Sequence, residues 1–292
     1  LRRLGWTALA VLVPVLLVGA AFAWDGYKLL STADALKQHA SAAQQAVSTR
    51  DADALATEVV EVQQASATFA QHTSGPHWWL AQWVPWVKDQ TVPLQQAGES
   101  VQAVAEGALQ PLTTVDLAAL GAPPIDNGRI DPFLLEPYRE ALGQAAGVLT
   151  EQSEALAGVD LTGAVDQVSE PFESLQVDVA TLGDLVQGAY LTAELLPPML
   201  GGEGERNIIV MVQNLAEPRT TGGIPGAVLE LRVADGRPSL VGYQPASAMV
   251  DQEADGSTLT EDELRIFSRR MVIYPQDVNF TPEFPRSAQL MR

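Results

Sequence analysis

The stretch Val165–Leu196, VDQVSEPFESLQVDVATLGDLVQGAYLTAELL, decides how most of the chain is read. Val165, Val168, Phe172, Leu175, Val179, Leu182, Val186, Ala189, Ala193 and Leu196 step by three and four residues in alternation. That rhythm keeps one apolar seam along an α-helix and predicts coiled-coil packing. Pro197-Pro198 and Gly201-Gly202 close the helix.

Upstream of this seam the helical pattern extends back to residue 25. Leu29, Ala33, Leu36, Ala40, Ala43 and Val47 form one stripe, and Leu55, Val59, Val62, Ser66 and Phe69 form another. Ser48-Thr49-Arg50-Asp51 separates them, with Asp51 or Asp53 as the next N-cap. Two helices of similar length with a short link predict an antiparallel hairpin. A further helical block is expected at about 92–119 and a loop over Gly121–Arg129. The next helix is expected to open on Asp131 as N-cap with Pro132 in its first turn.

Trp6–Trp24, WTALAVLVPVLLVGAAFAW, carries no charge. At about 1.5 Å per residue it matches a hydrocarbon core of roughly 30 Å. Arg2 and Arg3 precede it, which favours a cytoplasmic N-terminus. Ala21-Phe22-Ala23 also fits a signal-peptidase site, so an anchor and a cleaved signal peptide are both open. Either places residue 25 onward outside the cytoplasm. If the first helix of the hairpin leads outward from the membrane, the second returns, and Trp78, Trp79, Trp83 and Trp86 come to lie near the bilayer surface. Indoles favour the headgroup zone, so these four are membrane-interface candidates; ordinary core packing is the other reading.

Composition narrows the chemistry. Lys and Arg number 17 against 36 Asp and Glu, a net charge of −19, which speaks against a nucleic-acid partner. No cysteine is present, so disulfides, thiolate metal sites and a thiol nucleophile are excluded. Three histidines, His39, His72 and His77, without an HExxH pattern, predict no metal site. The acidic residues fall largely off the apolar stripes and read as a solvated helix surface. Asp251–Gly256 has only the beginning of a calcium-loop pattern and reads as an acidic turn.

At Arg206 the pattern changes. Ile208–Val212 reads as a buried strand, and Leu229, Leu231 and Val233 alternate with Glu230 and Arg232 as a second. Asp235-Gly236 turns the chain into a third, Ser239–Tyr243, completing a β-hairpin. Thr260 with Glu263 forms a capping box that opens a helix through Arg270, and Met271–Tyr274 is expected to be one more strand.

Between the first two strands stand Gln213, Asn214, Ala216, Glu217, Arg219, Thr221, Gly222, Gly223 and Gly226, and further on lies Asp277-Val278-Asn279-Phe280-Thr281-Pro282-Glu283-Phe284-Pro285. In these two motifs the chain resembles the domain of unknown function 4012, with Pro218, Ile224 and Pro225 departing from its pattern. The resemblance implies a single-span bacterial envelope protein with a helical region before an α/β domain that continues past Arg292. It implies no activity. The absence of an initial Met and the stop at Arg292 also read as a fragment.

The expected fold is therefore α+β: a transmembrane helix at 1–24, a long all-α extracytoplasmic stalk or bundle at 25–200, and part of a small α/β domain with a β-hairpin at 201–292. The expected location is the plasma membrane, single-pass, with the bulk of the chain extracytoplasmic. Gly222 and Gly223 can turn backbone N–H groups toward an anion, and Arg219 can add a guanidinium. The candidate ligand-binding residues are Asn214, Glu217, Arg219, Thr221, Gly222, Gly223, Arg269 and Arg270; a purely structural turn, with Glu217 paired to Arg219, is the other reading. No catalytic residue emerges, and whether the protein is an enzyme stays open. The partners expected are membrane lipid, through the N-terminal helix, and an envelope glycopolymer or protein. No cofactor is expected. An alternative is an activity similar to the LytR-CpsA-Psr family, which transfers lipid-pyrophosphate-linked glycopolymers; that analogy alone would call for Mg²⁺.

Overall fold

The computed structural model describes residues 2–116 and 125–292, with side chains from Gly19 onward. It divides into two compact units: Leu1–Pro123 with Leu134–Glu194, and Pro124–Phe133 with Leu195–Arg292. The architecture is α+β, with a long helical region followed by a three-stranded antiparallel sheet.

In the first unit, α1 (Arg2–Thr49) and α2 (Ala52–His72) form a hairpin. Arg50 makes the turn at φ 58°, and the Asp51 carboxylate accepts the Ala54 N–H at 3.0 Å as the N-cap. The predicted stripe Leu55, Val59, Val62, Ser66 and Phe69 is the buried face of α2. On α1 the stripe is correct at Leu29, but near the hairpin turn Ala46 packs on Leu55 and Val59 while Val47 is exposed. A straight helix at 3.6 residues per turn drifts off a 3.5-residue spacing over such a length. Among the described residues no helix is long and apolar enough to cross a membrane. The expected span Trp6–Trp24 falls mostly outside the described side chains.

Helix α3 (Pro76–Ala81) is short, and α4 (Pro85–Val104) begins earlier than the expected block. Proline fits the first turn of each helix because its missing N–H would be unpaired there anyway. A π-turn at Ala105–Leu109 carries α4 into a last short turn at Gln110–Leu112. Residues 117–124, which include the end of the expected helix and the start of the expected loop, lie outside the described residues.

The helix expected to open at Asp131 opens later, with a 3₁₀ turn at Glu136–Tyr138 leading into α5 (Arg139–Ala157). Asp131 instead accepts the Phe133 N–H at 3.1 Å in a local turn. Pro137 sits in the first turn of the Glu136–Tyr138 segment, where its missing N–H costs no hydrogen bond.

Helix α6 (Asp166–Met199) carries the seam, and Phe172, Val179, Val186 and Ala193, seven residues apart, are its buried positions. They share a core with Leu142, Leu149 and Leu156 of α5, also seven apart. Gln176 Nε2 reaches the Leu156 carbonyl at 2.7 Å, tying the two helices at one end.

In the second unit, β1 (Ile125–Asp126) and β2 (Arg129–Ile130) form a small hairpin inside the expected loop, turning on Asn127 and Gly128, both at positive φ. Asn-Gly is a strong hairpin-turn dipeptide because both residues tolerate that conformation. The main sheet is β3 (Arg206–Arg219), β4 (Gly222–Ala234) and β5 (Arg237–Pro245), in that order and antiparallel throughout. Asp235-Gly236 makes the second turn as expected, with φ of 45° and 73°. One face of the sheet packs Val228 and Met211 against Val278 and Met291.

The capping box is present, with Thr260 Oγ1 accepting from Glu263 N at 3.2 Å and Glu263 Oε2 accepting from Thr260 N at 2.8 Å. It opens α7 (Glu261–Phe267), which ends early because Ser268 turns to φ 55°. Met271–Tyr274 is not a strand: residues Arg270–Ile273 form a short helix, α8, that buries Met271 completely. Burying that side chain outweighs the β preference of Val272 and Ile273. A 3₁₀ segment (Pro275–Phe280) and α9 (Phe284–Met291) complete the unit.

Candidate functional site

The Gln213–Gly226 segment is not an open glycine loop between two strands. It forms the end of a long hairpin in which Arg219 pairs with Gly222, leaving Thr220-Thr221 as the turn. The strands reach this far because two register shifts, between Val212 and Gln213 and between Asn214 and Pro218, absorb the extra residues. Within the second bulge, Asn214 Oδ1 accepts from Ala216 N at 3.1 Å, and Asn214 Nδ2 donates to Glu217 Oε1 at 3.4 Å.

Gln213 braces the turn from below. Its Nε2 donates to the Thr221 carbonyl at 3.3 Å, and its Oε1 accepts the Gly223 N–H at 3.2 Å. The Gly223 N–H expected to face an anion is thus engaged internally. Gly222 has φ +121°, and a Cβ at Gly223 would fall on the Asn214 carbonyl, so both glycines are required by the fold of the turn itself.

The second motif comes up against this turn. Asn279 Nδ2 donates to the Gly223 carbonyl, and Thr221 Oγ1 contacts the Asn279 carbonyl at 3.4 Å and Ser287 Oγ at 3.2 Å. Ser287 Oγ in turn donates to the Val278 carbonyl at 3.1 Å. The two sequence motifs therefore meet in one network, with Asp277, Asn279 and Ser287 completely buried.

Arg219 and Arg270 converge on Phe280, their guanidinium carbons 5.3 and 5.8 Å from the ring centroid, while Phe267 stacks on the same ring at 5.6 Å. The two arginines differ in their partners. Arg270 donates through Nε to Asp277 Oδ2 at 3.0 Å, and its Nη2 lies 2.9 Å from the same oxygen as an ion pair. Arg219 has no carboxylate partner among the described residues; its one hydrogen bond is to the neighbouring Pro218 carbonyl at 3.4 Å, and its Nε is buried without an acceptor. Asp277 Oδ1 and Asn279 Oδ1 are likewise buried without a donor. Residues 203–292 match the family model described as a protein of unknown function, DUF4012. The match is confined to this segment. No curated protein and no solved structure matches the chain.

Of the expected ligand residues, the DUF4012 segment brings together Arg219, Thr221, Gly222, Gly223 and Arg270. Glu217 pairs with Asn214 at the bulge, not with Arg219. Arg269 points elsewhere, donating to the Ala254 carbonyl at 3.1 Å. Sequence reasoning gave no role to Asp277, Asn279, Phe280 or Ser287; the DVNF run was visible, but nothing in its spacing says that it reaches the Gly-Gly turn. Asp251 and Asp255 each accept a backbone N–H two residues on, from Glu253 at 3.0 Å and Ser257 at 2.8 Å, as turn-forming side chains.

The four candidate tryptophans fall into two classes. Trp78 is buried, while Trp79, Trp83 and Trp86 are exposed. Pro85 interrupts the helix between them, so Trp83 lies in the α3–α4 turn. Trp78 Nε1 donates to Asp25 Oδ2 at 3.1 Å, His77 Nε2 meets the same oxygen at 2.6 Å, and His72 Nδ1 meets Oδ1 at 2.9 Å. Burial alone would push the Asp25 pKa up, but the bonds from His72, Trp78 and His77 outweigh it and hold the carboxyl below its ordinary value. As a lone charge at the end of an apolar run, Asp25 was the available signal for this cluster.

Proposed function

We propose that the protein is a membrane-anchored, extracytoplasmic envelope protein whose DUF4012 segment binds an anionic envelope component. Trp6–Trp24 is the anchor, and Arg2 and Arg3 keep the N-terminus in the cytoplasm. One observation carries the binding reading. Beside the Phe280 ring, Arg270 is neutralised by Asp277 while Arg219 is left without a carboxylate. A guanidinium that retains free donors is suited to a phosphate or carboxylate, which it can engage through two parallel N–H bonds. The Phe280 ring, 5.3 Å from the Arg219 guanidinium carbon, is within cation–π range.

The test is binding of a polyprenyl phosphate to the purified full-length protein in detergent micelles. The wild type is expected to bind, Arg219→Ala to lose binding, and Arg219→Lys to recover part of it, since lysine keeps the charge but not the fork. A wild type that does not bind, or an Arg219→Ala protein that binds equally well, sinks the reading.

A further inference from the structure

Trp79, Trp83 and Trp86 are 58, 74 and 67% exposed, and Leu80 and Val84 between them are also open. Trp79 and Trp83 meet edge to face at 6.1 Å, so they present one apolar surface. Large contiguous apolar patches are uncommon on protein surfaces that face only water. The charge around the patch is equally unusual for this chain. From Val62 to Lys88 there is no Asp or Glu, although the whole sequence has 36. Lys88 follows Trp86 by two residues, and on α1 Lys28 lies over the exposed Trp24 ring at 5.4 Å. An indole surface with Lys88 at its edge and Asp89 as the first carboxylate beyond it is complementary to an anionic lipid headgroup layer.

The position of the patch along α1 is set by a second feature. Phe22 meets the rings of His77 and Trp78 at 4.9 and 5.3 Å, and one turn further the buried Asp25 carboxylate binds His72, His77 and Trp78. Those contacts pin α3 to the residues where the uncharged stretch Trp6–Trp24 ends. At about 1.5 Å per residue that stretch spans roughly the hydrocarbon thickness, so its end marks the headgroup level. The clamp also takes the Asp25 carboxylate out of solvent.

We infer that Trp79, Trp83 and Trp86 form a platform in the headgroup zone of the extracytoplasmic leaflet, held at that depth by the Asp25–His72–His77–Trp78 clamp. The inference rests on the proposed anchoring of Trp6–Trp24. Its consequence is that the protein meets the bilayer at two sites, a spanning helix and a surface contact, which restricts rotation and tilt of the helical unit about its anchor.

The test uses the full chain in vesicles of phosphatidylcholine and phosphatidylglycerol, with Trp6→Phe and Trp24→Phe to silence the indoles of the anchor. Lipids brominated near the headgroup end of their acyl chains are expected to lower the remaining emission about twofold, because interfacial indoles lie within reach of the bromines. Adding Trp79→Ser, Trp83→Ser and Trp86→Ser leaves the buried Trp78 and is expected to abolish the quenching. Asp25→Ala is expected to weaken it, and His77→Phe, which keeps a ring against Phe22 while losing the bond to Asp25, covers the case in which Asp25→Ala does not fold. Vesicle flotation separates the two layers of the argument. A chain that does not float overturns the anchor. A chain that floats with unquenched tryptophans overturns the platform alone, and indoles shielded from aqueous acrylamide yet unquenched by the lipid point to a protein covering that face, which also overturns it. Quenching unchanged in both Asp25→Ala and His77→Phe overturns the clamp.

Discussion

Helices α5 and α6 bury an apolar side chain every seventh residue, whereas the sheet of the second unit is buried only in part on either face. On the face opposite Val228, Val233 is buried, but Ile208, Leu231 and Leu240 lie side by side, as do Val210, Leu229 and Tyr243, and Leu240 and Tyr243 are largely exposed. The helical unit is held by apolar volume. The DUF4012 segment adds to a smaller core, around Val228, Val278 and Met291, a set of directed polar contacts: Asn279 and Gln213 under the Gly-Gly turn, and Glu263 with Arg286 between α7 and α9. Apolar packing is tolerant of small displacements in a way that directed bonds are not, so the two units should fail under different perturbations.

The largest effect is expected from the apolar side. Leu149 is completely buried between α5 and α6, with Gly183 packed closely on its Cβ. Leu149→Ala should cost about 2–5 kcal/mol, read as a lower urea midpoint in the helical circular dichroism signal. A loss under about 1 kcal/mol would show that the seam is not the main source of stability.

Next comes acid. Arg286 donates to both carboxylate oxygens of Glu263, at 2.8 and 2.7 Å, and holds the Glu263 pKa down from 4.5 to about 2. A carboxylate whose pKa is lower in the folded state stabilises above its unfolded pKa and loses that contribution as pH falls through the folded value. The window is therefore about pH 4.5 to 2, and the shift corresponds to at most about 3 kcal/mol. Glu263→Gln should destabilise the protein at pH 7 and flatten the part of its acid sensitivity that falls in this window. Equal pH profiles for both proteins would remove the pair from the account.

A smaller effect is expected at the turn. Gly223→Ala would drive a methyl group into the Asn214 carbonyl, so the bulge must open, at a cost of about 1–3 kcal/mol. Backbone amide exchange of Gly223 should accelerate as its bond to Gln213 is lost. Unchanged exchange would mean that the turn is looser than its bonding implies.

The same contrast explains what could be read in the residues. The α6 seam and the α2 stripe were legible because burial on one side of a helix leaves a period in the sequence. The Asp235-Gly236 turn and the Thr260–Glu263 box were legible because their residue types are needed for local backbone reasons. Met271–Tyr274 looked like a strand because β-branched residues carry that preference, yet the side chain that decided the outcome was Met271, whose burial depends on distant packing. The site was half legible for a similar reason. Arg219 and the glycines stand in one motif, but Asn279 reaches Gly223 across 56 residues and Asp25 reaches Trp78 across 53, and no periodicity records such long-range polar pairs.

The smallest stability effect is expected at Arg219, and it is the one that separates binding from structure. The side chain is only half-buried, has no ion pair among the described residues, and touches the fold through Phe280 and one long bond to Pro218. Replacing it removes a cation–π contact of about 0.5–1 kcal/mol. It also removes a buried Nε that lacks an acceptor, and relieving such a group is favourable by a comparable amount. The two contributions oppose each other, so Arg219→Ala should leave the thermal midpoint within a few degrees of wild type. Arg270→Ala, by contrast, strips the completely buried Asp277 of its cation and should be clearly destabilising. If both variants melt early, Arg219 is a structural residue like its neighbour. If only Arg270→Ala does, the free guanidinium beside Phe280 is held there at little benefit to the fold, which is the pattern expected of a residue kept for a ligand.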